Sequence, residues 1–230
     1  MSARTTLATF ASCLVLLGPA AASAQYFDDS VSEHHDIGSP EGFALELRIG
    51  PYEPDDANIG SLYDDEGPLL AFEFDVMFLP IPYVGRAGLG FGLGWSRYTA
   101  KAATVAGEET QEELAFVIVP MTGVAVLRID VLARELNIPF IFTGKLGLDA
   151  ISWDSNRGET DEDDGITFGL HWAAQVALEL DFFDRQAARA LDEEWGINHT
   201  FLFFEYFGAE ARGAPVVGDR TWSAGLGFLF

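Results

Sequence analysis

Hydrophobic and polar positions alternate with a period of two along most of the chain from residue 43 onward. Phe43, Leu45, Leu47 and Ile49 interleave with Ala44, Glu46, Arg48 and Gly50, and Leu70, Phe72, Phe74, Val76 and Phe78 with Ala71, Glu73, Asp75 and Met77. Leu89, Phe91, Leu93 and Trp95 are separated by Gly88, Gly90, Gly92, Gly94 and Ser96. The same rhythm runs from Phe140 to Asp149, from Ile166 to Asp181 and, with aromatics on both faces, from His199 to Tyr206. At the C-terminus Trp222, Ala224, Leu226, Phe228 and Phe230 alternate with Ser223, Gly225 and Gly227. Alternation of this kind predicts strands with two unlike faces. Residues 114 to 129 are long enough for a further strand but apolar on both faces, and Pro120, which cannot donate to a ladder, predicts a bulge there. Eight strands result.

The faces opposite the apolar stripes decide which way the sheet closes. A β-sandwich or lipocalin would turn the apolar face inward and show water a surface dense in Lys, Glu and Thr. Here the alternate positions are mostly Gly and Ala with isolated charges, which suits a crowded narrow interior. The predicted fold is therefore all-β: an eight-stranded antiparallel up-and-down transmembrane β-barrel, apolar side out. Its apolar bands match the roughly 9 to 11 residues that a tilted membrane strand needs. Trp95, Trp153, Trp172, Tyr206 and Trp222 lie near strand ends, as an interfacial aromatic girdle requires. With the N-terminus in the periplasm, the outer loops are residues 51 to 68, 99 to 113, 154 to 165 and 208 to 220. The inner turns are 80 to 85, 130 to 139 and 182 to 197. In the last of these, Asp184 caps one short periplasmic helix whose stripe Ala187, Leu191 and Trp195 would plug or rest against the barrel mouth, or pack on its own turn.

The first 24 residues break the pattern. Arg4, the apolar run Leu7 to Leu17, Gly18-Pro19 and Ala22-Ser23-Ala24 make a secretory signal peptide cleaved after Ala24. Residues 25 to 42 form a polar leader and 43 to 230 the barrel. A lipoprotein signal ending at Cys13 would leave an apolar mature N-terminus, so cleavage after Ala24 is preferred; it removes the one cysteine and with it disulfide or thiolate chemistry. The formal charge is −23, and losing the signal peptide removes only Arg4, so the exported chain repels nucleic acid. The longest uncharged apolar run after the signal, Leu114 to Leu127, has 14 residues and contains Pro120, too short for a spanning helix. Leu226, Phe228 and the terminal Phe230 resemble the signal read by the barrel-assembly machinery, which places the protein in the outer membrane with that machinery and membrane lipid as partners.

The inward charges Glu46, Arg48, Glu73, Asp75, Lys145, Asp149, Glu179 and Glu205 share one narrow lumen and must pair there or change protonation state. They predict a salt-bridge network that fills the barrel, or alternatively a gated polar conduit. The four outer loops hold 18 acidic residues against 4 basic ones. Asp161, Glu162, Asp163 and Asp164 offer oxygen ligands for a loosely held Ca²⁺ or Mg²⁺, or for a cationic surface partner, although the spacing is not that of a dedicated calcium loop. No cofactor is predicted. Lipid-modifying barrels set a serine beside a histidine base; His171 is followed here by Trp172 and Ala173, and Asn198-His199 by Thr200, so neither arrangement is complete.

Three stretches carry a family likeness: Ser39-Pro40-Glu41-Gly42-Phe43-Ala44-Leu45-Glu46; Val119-Pro120-Met121 through Arg128-Ile129-Asp130 to Ile138-Pro139; and Ala187-Ala188-Arg189 running into Gly196-Ile197-Asn198-His199-Thr200-Phe201-Leu202-Phe203-Phe204-Glu205. They resemble a family of small outer-membrane β-barrel proteins found mainly in myxobacteria and related Gram-negative bacteria. The resemblance implies the barrel fold and the outer membrane, and it brings no activity and no catalytic residue. The expected role is structural or interactive at the surface, through the acidic loops. A narrow small-solute channel is the first alternative and a lipid-modifying enzyme the second.

Overall fold

The computed structural model describes residues 42–52, 54, 67–103, 109–156, 162–212 and 217–230. The expected signal peptide, all but the last residue of the polar leader and the tips of the outer loops lie outside the described residues. Eight strands follow one another around a closed antiparallel barrel: β1 (Phe43–Gly50), β2 (Leu69–Ile81), β3 (Gly85–Ala103), β4 (Glu109–Ile129), β5 (Phe140–Asn156), β6 (Glu162–Glu179), β7 (His199–Arg212) and β8 (Asp219–Leu229). Every strand pairs with its chain neighbours, and β1 closes on β8 with Ala44 opposite Leu229 and Ile49 opposite Ala224. Phe230 completes the seam. Its carbonyl accepts from the amides of Gly42 and Phe43, and its own amide donates to Phe43 O.

Side chains divide as the alternation requires. Phe43, Leu47, Phe72, Phe74, Leu89, Phe91, Phe142, Leu148, Phe168, Leu202 and Leu226 all stand exposed on the outer surface, while Glu46, Arg48, Glu73, Asp75, Lys145 and Glu205 are buried within. Each large apolar side chain gains roughly 1.5–3 kcal/mol on leaving water. A belt of them around a polar interior is the surface of a barrel solvated by hydrocarbon, with no sheet edge left unpaired. Among the described residues no helix is long and apolar enough to cross a membrane; the strands do the crossing.

The strands outrun the apolar belt on the side away from the termini. β3, β4, β5 and β6 are 19, 21, 17 and 18 residues long, well beyond the ~9–11 that span a bilayer. Residues expected in the outer loops are thus laddered, with Asp154 opposite Asp164 and Ser155 opposite Asp163. Outside the lipid a strand no longer needs an apolar outer face, so the alternation that reveals it in sequence stops before the hydrogen bonding does.

Pro120 produces no bulge. On the β5 side it stands opposite Ile151 without a shift, and on the β3 side Leu93 opposite Met121 and Ser96 opposite Ile118 keep one register. Pairing lapses only between those two positions, and the proline ring fills the room left by Gly94, where a Cβ would come within 2.9 Å of Pro120 Cγ. The real irregularities lie at Phe78, between Met77 and Leu79, and beyond Lys101.

Two helices cap inner turns. α1 (Val131–Leu136), a single turn tied by Arg134 to Asp130 at 2.8 Å, was not expected. α2 (Arg185–Trp195) begins at Asp184, whose carboxylate accepts from Gln186 N and Ala187 N, and stops at Gly196 with φ 68°. The helix does not plug the barrel: none of its residues is buried, and Trp195 is 72% exposed. The mouth is already filled by Ala44, Ile141, Ala177, Phe201, Phe203 and Leu229.

Glycines of β8 accept the rings of β7. Phe201 stands opposite Gly227, where a Cβ would lie 2.1 Å from its Cζ, and Phe203 opposite Gly225. Phe201 is buried and its ring has little room to retreat. Gly227→Val is expected to destabilise the barrel by about 1–3 kcal/mol, read as a lower urea midpoint for unfolding in detergent micelles. Combined with Phe201→Ala, the loss should be less than additive, because the clash is with that ring.

Candidate functional site

The centre of the lumen is a compact ionic cluster. Arg48 on β1 reaches Glu46 at 3.1 Å, Glu73 of β2 at 2.6 Å, and Glu205 of β7. Lys145 of β5 reaches the same three carboxylates at 2.8, 2.7 and 2.8 Å. Arg128 of β4 adds a contact to Glu46 at 3.3 Å, and Gln175 of β6 donates to Glu46 at 3.0 Å. Six of the eight strands are therefore joined through three carboxylates. The other two, β3 and β8, supply space: a Cβ on Gly90 would lie 2.3 Å from Asp75 Oδ1. Arg48 and Arg128 also lie over the rings of Phe203 and Phe201, 5.9 and 5.1 Å from the centroids.

Alternation puts every second residue of a strand inside, but length and charge decide what it can reach. Lys145 and Arg48 lie on opposite sides of a barrel whose interior is just wide enough for side chains, so both can span it to shared acceptors. Desolvating so many charges is costly, and the cluster holds because each carboxylate has at least two cationic partners.

A second polar group lies on the outer side of the cluster. Asp149 accepts from Thr122 Oγ1 at 2.7 Å and lies 3.0 Å from His171 Nδ1, and the imidazole stacks on Phe207 with centroids 5.9 Å apart. Arg48, Tyr52, Glu73, Asp149, His171 and Phe207 help line a cavity of about 40 Å³.

Apolar layers close the lumen on both sides. Toward the outside, Tyr52, Tyr98, Phe116, Ile118, Ile151, Trp153, Phe207 and Val217 pack into one core. Tyr52 OH donates to Val217 O at 2.8 Å, and Tyr98 OH donates to Tyr52 O, so the ends of β1 and β3 and the segment before β8 are latched together. On the inner side lie the Phe201 and Phe203 layer and Met77, Val124 and Val126.

The structure brings together Glu46, Arg48, Glu73, Lys145 and Glu205 in the cluster, with Asp75 and Asp149 buried beside it. Glu179 does not join them. It lies at the inner rim, 3.1 Å from His199 Nδ1, next to Asp181, which is 2.8 Å from the same nitrogen. The alternation had counted it inward without its depth, and depth along a tilted strand depends on the register of all eight. Arg128 and Thr122 are lumen residues that the sequence reading missed, whereas His171 and Gln175 fall on the inward side of the β6 alternation without being counted in the charge network. Both faces of β4 are apolar, so Arg128 gave no sign of its side until its pairing with Arg86 and Thr143 fixed it.

Of the expected girdle, Trp95, Tyr206 and Trp222 are exposed on the outer surface and Trp172 is partly covered there, 5.6 Å from Tyr206. Trp153 does not belong to it. Its indole is 9% exposed, turned inward over Gly165 and stacked on Phe116 at 6.2 Å. Glycine opposite tryptophan leaves the space for an inward ring, which strand-end position alone does not reveal. Leu226 is exposed on the outer face of β8, Phe228 partly so, and Phe230 sits at the seam. Asp163 and Asp164 are exposed on β6, Glu162 begins that strand, and Asp161 lies outside the described residues.

No family model and no curated protein matches the chain. Among solved structures it is similar to Ail, the attachment invasion locus protein of Yersinia pestis, at 12% identity over 83% of this chain and 97% of that one, with a TM-score of 0.47. It is also similar to neisserial surface protein A (NspA), at 12% identity over 84% and 100% with a TM-score of 0.48. The N-terminal β-barrel domain of Pseudomonas aeruginosa OprF matches at 9% identity over 83% and 100%, with a TM-score of 0.41. No lumen residue is carried over from any of them.

Removing one cation should expose how far the cluster depends on sharing. Lys145→Met leaves Glu46, Glu73 and Glu205 to the two arginines, and the expected loss is about 3–5 kcal/mol, measured by urea unfolding of the protein refolded in lipid vesicles. Adding Glu205→Gln should recover part of it. A double variant no more stable than Lys145→Met would show that the two groups are not coupled.

Proposed function

We propose that this chain is an outer-membrane barrel whose role is structural and interactive rather than conductive: a sealed anchor that holds extended outer hairpins and acidic loops above the bilayer. The observation that carries this reading is the layered lumen. An aromatic and aliphatic layer, an ionic layer and a second apolar layer succeed one another between the two mouths. A cavity of about 40 Å³ admits a few water molecules, each needing at least roughly 10–15 Å³, and offers no room for a hydrated solute to pass. Opening a conduit would require breaking the ionic cluster and withdrawing Tyr52, Tyr98 and Phe116 at once.

What projects outward fits contact rather than transport. β3 to β6 continue as a paired wall beyond the apolar belt, braced from within by Trp153 and Phe116. Residues 51–68, 99–113, 154–165 and 208–220, part of them on that wall, together carry 18 acids against 4 bases, a surface suited to divalent cations or to cationic polymers and proteins. No reaction is part of this role. Export would follow cleavage after Ala24, and assembly would use the terminal strand.

Refolded protein in planar bilayers should give flat current traces in concentrated salt under voltage. In urea-washed outer membranes it should stay with the pellet and run faster on gels when unboiled. Stable unitary conductance would overturn the sealed lumen, and release by urea would overturn the membrane anchor.

A further inference from the structure

We propose that Glu179, Asp181 and His199 form a binding site for a divalent transition-metal ion of the zinc class, at the inner rim where β6 ends and β7 begins. Nothing in the proposed surface role calls for these residues, and the site stands apart from the lumen cluster and from the acidic outer loops.

The three side chains offer ligand atoms that all lie within 4.8 Å of one another. Asp181 Oδ2 is 2.8 Å and Glu179 Oε1 3.1 Å from the same imidazole nitrogen, His199 Nδ1. An Nδ1 carries at most one proton, pointing along one line, so it cannot make two good hydrogen bonds to carboxylates of different residues. Even a fully charged imidazolium offsets only one of the two negative charges. A divalent ion placed between the three atoms offsets both. Donors around a tetrahedral zinc stand about 3.4 Å apart, given bonds of about 2.0–2.2 Å, so small rotations of the Glu179 and His199 side chains suffice.

The frame is already set. Thr200 N donates to Asp181 Oδ1 at 3.2 Å, fixing that carboxylate with its other oxygen toward the imidazole, and Leu180 N donates to Thr200 O. The side chains are 32, 17 and 14% exposed for His199, Glu179 and Asp181, dry enough to strengthen ligation yet open to ions from the inner side. One imidazole with two carboxylates favours zinc over Ca²⁺ or Mg²⁺, which prefer all-oxygen shells. Three protein donors leave a further position for water. A bound ion would clamp the base of the turn that carries α2.

The test is calorimetric titration of Zn²⁺ into the refolded mature protein in detergent, after treatment with a chelator. The expected result is one saturable site that His199→Ala abolishes, and that Glu179→Gln and Asp181→Asn each weaken at least roughly tenfold. The site should persist in the His34→Ala/His35→Ala variant and resist excess Mg²⁺. If His199→Ala loses its heat-dependent gel shift, and so has not folded, the two isosteric variants decide. No saturable uptake, uptake unchanged in Glu179→Gln and Asp181→Asn, or uptake lost with His34 and His35 would each overturn the site.

Discussion

Arg48 and Lys145 share three carboxylates across the middle of the barrel, and much of the architecture answers to that arrangement. Glu46, Glu73 and Glu205 come from three different strands, and each touches both cations. In a low-dielectric interior an unpaired charge costs several kcal/mol, so the positions of β1, β2, β5 and β7 are tied to one another through a common centre. A slip of one strand by one residue would turn its charges into lipid and its apolar residues into the cluster. The ionic layer thus helps fix register as well as filling space.

The glycines follow from the same centre. Long charged side chains need room inside a barrel of eight strands, and β3 and β8 provide it by having little on their inner faces. Where the charges end, aromatic rings take over the space: Phe201 and Phe203 lie across Gly227 and Gly225, and Trp153 across Gly165. Within each layer, large rings fit against glycines on the neighbouring strand, as close packing of an interior requires. The outcome is a barrel whose described interior is largely filled by side chains and whose outer face is apolar.

The two ends of the barrel differ from its centre. At the outer end strands persist past the hydrocarbon, where ladder hydrogen bonds are weaker than in lipid but still favourable, and Asp163 and Asp164 stand there on a paired framework. At the inner end, α2 has no buried residue, and the rim residues Glu179, Asp181 and His199 stand outside the ionic cluster.

The period-two pattern by itself determined seven of the eight strands, with β4 added on the length of its apolar run, together with which face meets lipid and which residues of β1, β2, β5 and β7 point inward, because lipid outside and a narrow polar space inside impose opposite demands on alternate residues. The cap at Asp184 was legible for a similarly local reason: a carboxylate before a helical stripe satisfies the first free amides. Depth and cross-lumen distance were not local. Whether Trp153 turns in or out, whether Glu179 reaches the centre or the rim, which side of β4 carries Arg128, and how far β3 to β6 rise beyond the membrane all depend on registers between strands distant in sequence. Only the closed tertiary structure sets these, since a side chain's partners across a barrel are chosen by the tilt and stagger of every strand around it.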